Sequence, residues 1–478
     1  MSGAATASLM RHDDRRTAQR IAESALARDG GVMTNQQVRD WLAERRRAQV
    51  QHVSRIPFAE LLDWQFRSDD GNLVHRSGRF FSVEGLEIVS DAGPVRRWMQ
   101  PIVNQPEIGT LGIAVREFDG VLHCLMQAKS EPGNINTVQL SPTVQATKSN
   151  YNRVHGGHEV PYLDLFRNPA PDRVLADVLQ SEQGTWFYRK RNRNIIVEVG
   201  AEVEADADFC WLTLGQLHEL LAVDNLVGMD ARTVLACLPH DTGPGLPAAG
   251  TELADAVARS ADVAHGSLHS TAEILSWITA RRAKHELATT LMPLRDIGGW
   301  HRTGDAISHD RGIHFSVVAV SVESNCREVG AWTQPLVWPH GTGVIALVVK
   351  RFGGVLHALV NARVEPGYLG AVELAPTVQY TPENYAHLPA EGQPAFAGLI
   401  RRLRPEQVLF DTELAEEGGR FLHAQCRYLV IETDEELPPY ERPDFRWMTL
   451  HQLTGLLRHS HYLNVQARTL IACLRGLR

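Results

Sequence analysis

Several features that often identify an enzyme are missing from this sequence of 478 residues. It has six cysteines and no CxxC pair among them: Cys124, Cys210, Cys237, Cys326, Cys426 and Cys473. This spacing excludes a zinc ribbon and a disulfide framework, and it favours buried structural thiols. GxGxxG, GxxxxGK[ST], HExxH and GxSxG motifs are missing too, as is any cluster of metal-ligating residues. We therefore expect no metal site.

Long apolar runs and an excess of positive charge are also missing. No stretch approaches the roughly 18 to 20 apolar residues that a membrane span needs. The N-terminal MSGAATASLMRHDDRRTAQR has no apolar core of a signal peptide, so we expect a cytoplasmic protein. The formal net charge of -8 argues against a general electrostatic hold on nucleic acid or on an anionic membrane. Any anionic ligand must be bound by local groups.

What the sequence does contain is an internal duplication. The segment LGIAVREFDGVLHCLMQAKSEPGNINTVQLSPTVQATKSNYNRVHGG, at 111–157, aligns without a gap with VIALVVKRFGGVLHALVNARVEPGYLGAVELAPTVQYTPENYAH, at 344–387. Roughly half of the aligned positions are identical, far more than unrelated segments share by chance. The chain is therefore expected to contain two homologous units.

Shorter matches extend the duplication over most of the chain. An amphipathic helix predicted at 35–50 recurs at 272–287, HRSGRFFSV at 75 matches HDRGIHFSV at 309, and WMQP at 98 matches WTQP at 332. ARTVLACL at 231 matches ARTLIACL at 467, and a Pro/Gly-rich stretch follows the first copy. We predict an N-terminal tail at 1–33, a first unit at 34–238, a linker at 239–270 and a second unit at 271–478.

Alternating apolar residues predict β-hairpins in each unit. Asp119-Gly120 separates two alternating runs, which is a strong hairpin signal. On the returning strand, VLHCLMQAK, alternation sends His123, Gln127 and Lys129 to one face and apolar side chains to the other. Helical patterns follow the strands in both copies. The predicted class is α+β, with a mixed sheet packed against helices in each unit.

The polar face of this strand and the loop SNYNRVHGGHE supply the candidate chemistry. The candidates for acid or base are His123, Glu131, Tyr151 and His155. The candidate cations are Arg116, Lys129, Lys148 and Arg153. The candidate orienting amides are Gln127, Asn134, Asn136 and Gln145. Most of these also have a structural interpretation, because His123, Asn150 and Tyr151 recur in the second copy. His155 differs, because VHGGHEVPYL has no counterpart in HLPAEGQPAF.

The strings WMQP, EIGTLGIAVREFDGVLH, MQAKSEPGNINTVQLSPTVQATKSNY and RVHGG resemble the NDP-hexose 2,3-dehydratase family of deoxysugar and antibiotic biosynthesis. The likeness covers nearly the whole chain. It implies two tandem Nudix-like domains, each a mixed β-sheet sandwiched by helices, and it implies a homodimer. The Nudix box, whose carboxylates bind magnesium, is missing from both copies, which argues against pyrophosphate hydrolysis.

The resemblance implies a reaction in which dTDP-4-keto-6-deoxyglucose loses water across carbons 2 and 3. A base removes the carbon 3 proton that the neighbouring ketone acidifies, a positive group stabilises the enolate, and an acid assists the carbon 2 hydroxyl as it leaves. The product is a labile 2,6-dideoxy-3,4-diketo sugar, which implies a separate downstream 3-ketoreductase. Nothing in this chemistry requires NAD or a metal, so we expect no cofactor.

Roles in this reaction are assigned as hypotheses. We expect His155, Tyr151 or Glu131 to be the base and the acid, and Lys129 to be the counter-charge of the enolate. Arg116, Lys148 and Arg153 are candidates for the diphosphate, and Trp98 for stacking on thymine. The other expected substrate-binding residues are His123, Gln127, Asn134, Asn136, Gln145 and Asn150.

The two copies differ most in their polar loops, and the first copy keeps the fuller one. We therefore expect the working site in the first unit and a degenerate pocket in the second. That second pocket is predicted to contain Trp332, His357, Arg363, Glu365, Gln379 and Tyr385.

Two other functions stay open on the sequence alone. One is an epimerase or isomerase that removes the same carbon 3 proton without loss of the carbon 2 hydroxyl. The other is a protein that binds a nucleotide sugar without turning it over. Proton exchange at carbon 3 alone would favour the first, and tight binding of thymidine diphosphate without turnover would favour the second.

Overall fold

A computed structural model describes residues 14–147, 159–239, 251–433 and 442–477. The class is α+β, as predicted, and the chain forms two similar halves. The predicted roles of Lys148, Asn150, Tyr151, Arg153 and His155 fall on residues outside these ranges. No helix within the described ranges is long and apolar enough to cross a membrane.

The first half begins with two helices and continues with a run of strands. These are α1 (Asp14–Leu26), α2 (Asn35–Ala48), β1 (Gln51–Ile56), β2 (Trp64–Phe66), β3 (Leu73–His75), β4 (Ser82–Ser90), β5 (Arg97–Asn104), β6 (Gly109–Phe118), β7 (Val121–Ser130), β8 (Val138–Ser141) and β9 (Val144–Ala146). The half ends with α3 (Asp164–Arg167), β10 (Val174–Ser181), β11 (Arg191–Glu198), β12 (Phe209–Thr213), α4 (Leu214–Leu220) and α5 (Met229–Ala236).

The second half repeats this order closely. It contains α6 (Glu252–Ala261), α7 (Thr271–Lys284), β13 (Leu287–Met292), β14 (Trp300–Arg302), β15 (Ala306–His309), β16 (Phe315–Ser324), β17 (Ala331–Pro339), β18 (Gly343–Phe352), β19 (Val355–Val364), β20 (Val372–Ala375) and β21 (Val378–Tyr380). It ends with α8 (Pro382–Tyr385), α9 (Ala397–Arg401), β22 (Val408–Ala415), β23 (Gln425–Glu432), β24 (Phe445–Thr449), α10 (Leu450–Leu457) and α11 (Val465–Gly476).

Each half contains a seven-stranded mixed sheet. In the first half the order is β10-β11-β6-β7-β12, with β8 paired to β7 and β9 paired to β6. The predicted hairpin joins β6 to β7, and both turn residues have positive φ, 48° at Asp119 and 85° at Gly120. That backbone suits the right-handed twist of a tight hairpin, which is why Asp-Gly is favoured there. Strands β22-β23-β18-β19-β24, with β20 and β21, repeat the arrangement.

The two halves exchange their first strands. Strand β1 of the first half pairs with β16 of the second, with Gln51 opposite Ser324. Strand β13 of the second half pairs in turn with β4 of the first, with Leu287 opposite Ser90. The result is two five-stranded sheets, β1-β16-β15-β14 with β17 and β13-β4-β3-β2 with β5. Neither five-stranded sheet is therefore built from one half alone.

Helices α5 and α11 pack at the centre, where each contributes a fully buried arginine. Arg232 Nε donates to Thr469 Oγ1 at 3.3 Å, and Arg468 Nε donates to Thr233 Oγ1 at 2.5 Å. Each guanidinium also donates to backbone carbonyls of the other half, so the buried charges are hydrogen-bonded. The apolar core around them is continuous through both halves.

The predicted tail and linker each contain a helix that belongs to a half. Helix α1 buries alanines and an isoleucine against the first seven-stranded sheet, and Ser24 Oγ donates to the Leu122 carbonyl at 2.5 Å. Helix α6 does the same in the second half, where Ser260 Oγ accepts from the Leu450 amide at 2.8 Å. Both helices therefore lie before the predicted starts at 34 and 271 and pack on the unit that follows. Small alanine side chains make this apolar face easy to miss in a sequence rich in polar residues.

Candidate functional site

A cavity of about 710 Å³ lies between the two halves. Strands β7 and β9 and helix α5 of the first half form part of its wall, and the segments 327–334 and 417–420 of the second half form another part. The chemistry-bearing residues of its lining include Trp64, His75, Phe80, Lys129, Glu131, Gln145, Lys190, Asp230, Arg327, Trp332, Glu417 and Arg420. The volume suits a small-molecule ligand.

A buried carboxylate stands between two cations in the cavity wall. Lys129 Nζ lies 3.2 Å from Glu131 Oε1, and Arg327 Nη1 lies 2.9 Å from the same oxygen. Burial alone would raise the pKa of Glu131, but the charges of Arg327 and Lys129 outweigh burial and hold that pKa below its ordinary value. Glu131 is therefore ionised at neutral pH and orients both cations.

The position of Lys129 is further fixed by Gln145 of β9. Its ammonium group donates to the side-chain oxygen of Gln145 at 3.2 Å and to the Gln145 carbonyl at 3.4 Å. The side chain of Lys129 is only 8% exposed. A positive charge held in this way, in a site of low dielectric, interacts strongly with any negative charge that develops beside it.

Three further carboxyl groups of the lining, Glu182, Asp230 and Glu417, have raised pKa values. Burial, followed by the nearby carboxylates Glu182 and Glu417, raises the pKa of Asp230 well above its ordinary range. Burial is also the largest influence on Glu417, whose pKa is raised to about 7 although Arg420 opposes the shift. Glu417 Oε1 accepts from the Gly419 amide at 2.7 Å. Glu417 Oε2 and Asp230 Oδ1 have no hydrogen-bond partner among the described residues.

One end of the cavity is aromatic. The rings of Trp64 and His75 meet edge to face at 5.3 Å, and those of His75 and Phe80 meet at 4.7 Å. Phe80 has φ of 71°, a left-handed backbone that bulky residues rarely adopt and that often marks a functional constraint. The guanidinium of Arg420 lies 4.5 Å over the ring of Phe81. An aromatic base could stack here beside a positive charge.

Among the predicted site residues, the structure brings together Lys129, Glu131 and Gln145. Six others lie elsewhere in the first half. Trp98 is not in the described lining; its indole Nε1 donates to Gln100 Oε1 at 3.0 Å, while its counterpart Trp332 lines the cavity. We attribute this difference to the exchange of strands, which places β17 of the second half, rather than β5, at the cavity between the halves.

Arg116 and His123 are also placed away from the cavity. Arg116 donates to the carbonyls of Ala201 and Val203 and therefore fastens a loop rather than facing a diphosphate. His123 is fully buried, with Nδ1 2.8 Å from the Val121 carbonyl. It precedes Lys129 by six residues on β7, which is about 20 Å of extended strand. The burial and backbone contact of His123 support its structural interpretation.

Two of the predicted amides, Asn134 and Asn136, form hydrogen bonds with backbone carbonyls away from the cavity. Asn134 donates to the Thr137 carbonyl at 2.9 Å, and Asn136 donates to the Asn225 carbonyl at 2.7 Å. Both bonds stabilise the turn after β7. Gln127 is half-buried and does not belong to the described lining of the cavity.

The second half contains a related cluster in a different environment. Arg363 Nε lies 2.7 Å from Glu365 Oε1, and Gln379 Nε2 donates to the same oxygen at 2.9 Å. Tyr368, which stands where the first half has Asn134, is 3% exposed and packs against Gly184. A buried aromatic ring thus occupies space beside Glu365.

The other residues predicted for the second pocket lie apart from this cluster or at its edge. His357 Nδ1 lies 2.9 Å from the Val355 carbonyl, and His357 Nε2 accepts from the Leu268 amide at 3.2 Å. Trp332 lines the cavity between the halves instead. The ring of Tyr385 contacts that of Tyr380 at 5.8 Å.

The loop predicted to carry Lys148, Asn150, Tyr151, Arg153 and His155 follows Thr147, which lines the cavity. These five residues lie outside the described part of the chain. Their predicted roles rest on the sequence.

Sequence reasoning missed Lys190, Asp230, Arg327, Glu417 and Arg420. A signal was present, because the aligned residues of the other copy are Ala424, Gln466, Gly93, Gln183 and Trp186. Charged groups confined to one copy are candidates for a site that only one copy carries. Their convergence on one cavity, however, depends on the exchanged strands. Within the described ranges, no group of three or more His, Cys, Asp or Glu residues could hold a metal ion.

Comparisons with known proteins agree with this two-part organisation. A family profile described as NDP-hexose 2,3-dehydratase matches residues 35–238 and again residues 271–474. A protein of Amycolatopsis orientalis named dTDP-4-dehydro-6-deoxy-alpha-D-glucopyranose 2,3-dehydratase is 50% identical over 464 residues, which cover 96% of this chain and 94% of the relative.

Two further relatives carry the same name. The protein of Saccharopolyspora spinosa is 51% identical over 462 residues, which cover 96% of this chain and 95% of the relative. The protein of Streptomyces violaceoruber is 48% identical over 440 residues, which cover 91% of this chain and 96% of the relative. The similarity therefore extends across both halves.

Proposed function

The chain belongs to the NDP-hexose 2,3-dehydratase family, and from this premise we propose that it removes water from dTDP-4-dehydro-6-deoxyglucose in the cavity between its halves. It is a carbon-oxygen lyase, a sugar 2,3-dehydratase. The observation that carries the assignment is the family match over both halves. The buried cluster of Lys129, Glu131 and Arg327 supports the choice of cavity.

The first step of the reaction is removal of the carbon 3 proton, which the carbon 4 ketone acidifies. Negative charge then develops on the ketone oxygen. Lys129 and Arg327 supply two buried positive charges for that oxygen, and hydrogen-bond donors fixed in advance stabilise such charge most effectively. Glu131 is a positioning residue in this scheme, because it holds both cations at one oxygen.

The protonation states of the candidate carboxyl groups indicate which of them can act as the base. Glu131 is a poor choice, because two cations stabilise its ionised form and lower its basicity. Glu417 is better suited, because its pKa of about 7 lies near neutral pH and its Oε2 is unpaired within the described structure. Tyr151 and His155 remain candidates from the sequence. Turnover equal to wild type in Tyr151→Phe and His155→Ala would remove these two from the mechanism.

The nucleotide is proposed to occupy the other part of the cavity. Arg420 and Lys190 supply positive charge for the diphosphate, and burial lowers the pKa of Lys190 to about 8, so it is still mostly charged at pH 7. Phe80, Trp64 and Trp332 offer aromatic surface for thymine.

The assay follows from the chemistry of the product. A 3,4-diketo sugar is a vicinal diketone, which 1,2-diaminobenzene traps as a stable quinoxaline. Purified protein mixed with dTDP-4-dehydro-6-deoxyglucose and this reagent is expected to yield the quinoxaline without added NAD(P)H. Proton exchange at carbon 3 without loss of water would instead indicate an epimerase or isomerase, and tight binding without turnover a binding protein.

Three expectations from the resemblance, and one from the missing apolar segments, remain part of the proposal. We propose a Nudix-like fold for each unit, a homodimer, a cytoplasmic location and a place in the biosynthesis of a deoxysugar for an antibiotic. The instability of a 3,4-diketo product supports a fifth, a ketoreductase that consumes it. Coupled turnover with a 3-ketoreductase would test whether such an enzyme consumes the product, and light scattering would test the dimer.

A further inference from the structure

Asp230 is a buried acid that the steps above do not use. It lies in the first turn of α5, lines the cavity and is 6% exposed. Its Oδ1 atom is buried without a hydrogen-bond partner among the described residues. A buried unsatisfied polar atom costs folding free energy, so its presence beside a cavity points to a ligand that completes the bond.

The duplicated helix in the other half differs in the acid and not in the unpaired oxygen, because Gln466 Oε1 is also buried without a hydrogen-bond partner among the described residues. Helices α5 and α11 share the ARTxxACL pattern, including the reciprocal arginines, but Gln466 of α11 stands where α5 has Asp230. The architecture of the helix pair therefore does not require a carboxyl group at this position. The carboxyl group occurs in the copy that faces the catalytic lysine, which suggests a chemical role.

The charges around Asp230 come from several elements. The carboxylates of Glu182, Glu417 and Glu131 disfavour its ionisation, as does burial, whereas Lys129 favours it. The start of α5 also favours an anion, by a smaller amount typical of one helix end. The net effect is a pKa well above the ordinary range. Asp230 is thus a carboxyl group that holds its proton more firmly than an ordinary aspartate, as carboxyl groups used as acids do.

We propose that Asp230 is the general acid that protonates the carbon 2 hydroxyl as it leaves. This role rests on the proposed function and deepens it. The base first takes the carbon 3 proton, and the electron pair passes to the ketone oxygen. When the ketone re-forms, a double bond forms between carbons 2 and 3 and the carbon 2–oxygen bond breaks. The departing oxygen takes the proton of Asp230 and leaves as water.

The remaining proton transfers restore the site. The product of elimination is an enol with its hydroxyl on carbon 3. The protonated base returns its proton to carbon 2, and the Asp230 carboxylate takes the proton of the enol hydroxyl as the carbon 3 ketone forms. One water is released, no electron acceptor is needed, and both groups regain their starting states.

The test compares two leaving groups in the Asp230→Asn variant. Fluoride departs with far less need of a proton than hydroxide, so the 2-deoxy-2-fluoro analogue of the substrate bypasses a general acid. With the natural substrate, quinoxaline formation is expected to fall about 10²- to 10⁴-fold, the usual contribution of acid catalysis. Fluoride release from the analogue is expected to stay close to wild type. In D2O, exchange of the carbon 3 proton is expected to continue in the variant.

Three results would overturn the role of Asp230: full turnover of the natural substrate by Asp230→Asn, an equal loss with both leaving groups, or loss of carbon 3 exchange together with elimination. The matched control is Gln466→Asn, which changes the corresponding position of α11 and should leave both rates unchanged. Retained fluoride release would itself show that Asp230→Asn is folded. A wild-type protein inactive on both substrates would contradict the proposed function as a whole, which separates that failure from failure of Asp230 alone.

Discussion

Arg327 Nη1 lies 2.9 Å from Glu131 Oε1, and these two residues belong to opposite halves of the chain. The aligned position of the first half is Gly93, so only the second half supplies this cation. The cavity therefore contains a carboxylate from one copy and its partner from the other. Duplication followed by exchange of the first strands has produced a composite site rather than two independent ones.

Replacement of Arg327 tests this composite character. Arg327→Met removes one of two positive charges beside the developing enolate, and loss of a single electrostatic stabiliser typically costs about 10²- to 10³-fold in turnover. The rate of quinoxaline formation measures the effect. Arg363→Met is the matched control, because Arg363 lies in the related cluster of the second half, and it should retain turnover. Wild-type activity in Arg327→Met would contradict a catalytic role for this cation.

The ion cluster around Glu131 also predicts how stability depends on pH. The folded state lowers the pKa of Glu131 below its unfolded value of about 4.5, so the carboxylate contributes stability above that pH and loses it as the pH falls through the folded pKa. Glu131→Gln should be less stable than wild type at pH 7, by about 3 kcal/mol as for a broken buried pair. Urea unfolding from pH 7 to pH 3 should show this difference shrinking below about pH 4.5. A difference that is constant over the whole range would exclude the predicted linkage.

Glu417 predicts the pH dependence of catalysis. Its pKa is raised to about 7 by burial and by the carboxylates Glu131 and Glu182, with Arg420 opposing. A base must be ionised, so kcat/KM should rise with pH through about 7. Glu417→Gln copies the residue of the other half, Gln183, and should lose both most of the activity and this rising limb. If the limb persisted unchanged in the variant, another group would be the base.

Local features of the fold were predictable from the sequence. The Asp119-Gly120 hairpin follows from residues that tolerate positive φ. Alternation along β7 predicts that His123 and Lys129 share a face, and Leu125 of that face packs in an apolar cluster. Glu131 follows Lys129 by two residues, so their proximity follows from the period of a strand. Gln145 lies on β9, which pairs with β6 and not with β7, so its contact with Lys129 does not follow from the β6–β7 hairpin.

Contacts between the halves were not predictable in the same way. Strands β1 and β13 have similar patterns, and either could pair within its own half or across, so the sequence does not distinguish the two arrangements. The sequence therefore could not show that Trp332, rather than Trp98, lines the cavity between the halves. Asp230 was missed because a single acid in the first turn of an apolar helix resembles an ordinary helix start.

The exchange of strands makes the halves dependent on each other. Residues 1–250 expressed alone would leave β4 without its partner β13 and would expose the apolar surface of α5 that packs on α11. We expect this fragment to aggregate, and we expect co-expression with residues 251–478 to restore a soluble, active complex. Size-exclusion chromatography and the quinoxaline assay measure both outcomes. A soluble, monomeric first half with native-like thermal unfolding would contradict the account of a shared core.

The position of the bound substrate is the most direct test of a composite site between the halves. A crystal structure with dTDP-6-deoxyglucose, in which a carbon 4 hydroxyl replaces the ketone and leaves the carbon 3 proton unreactive, should place the carbon 4 oxygen about 3 Å from Lys129 or Arg327. The carbon 2 substituent should then face Asp230. A sugar bound only at the Arg363 and Glu365 cluster would contradict the account.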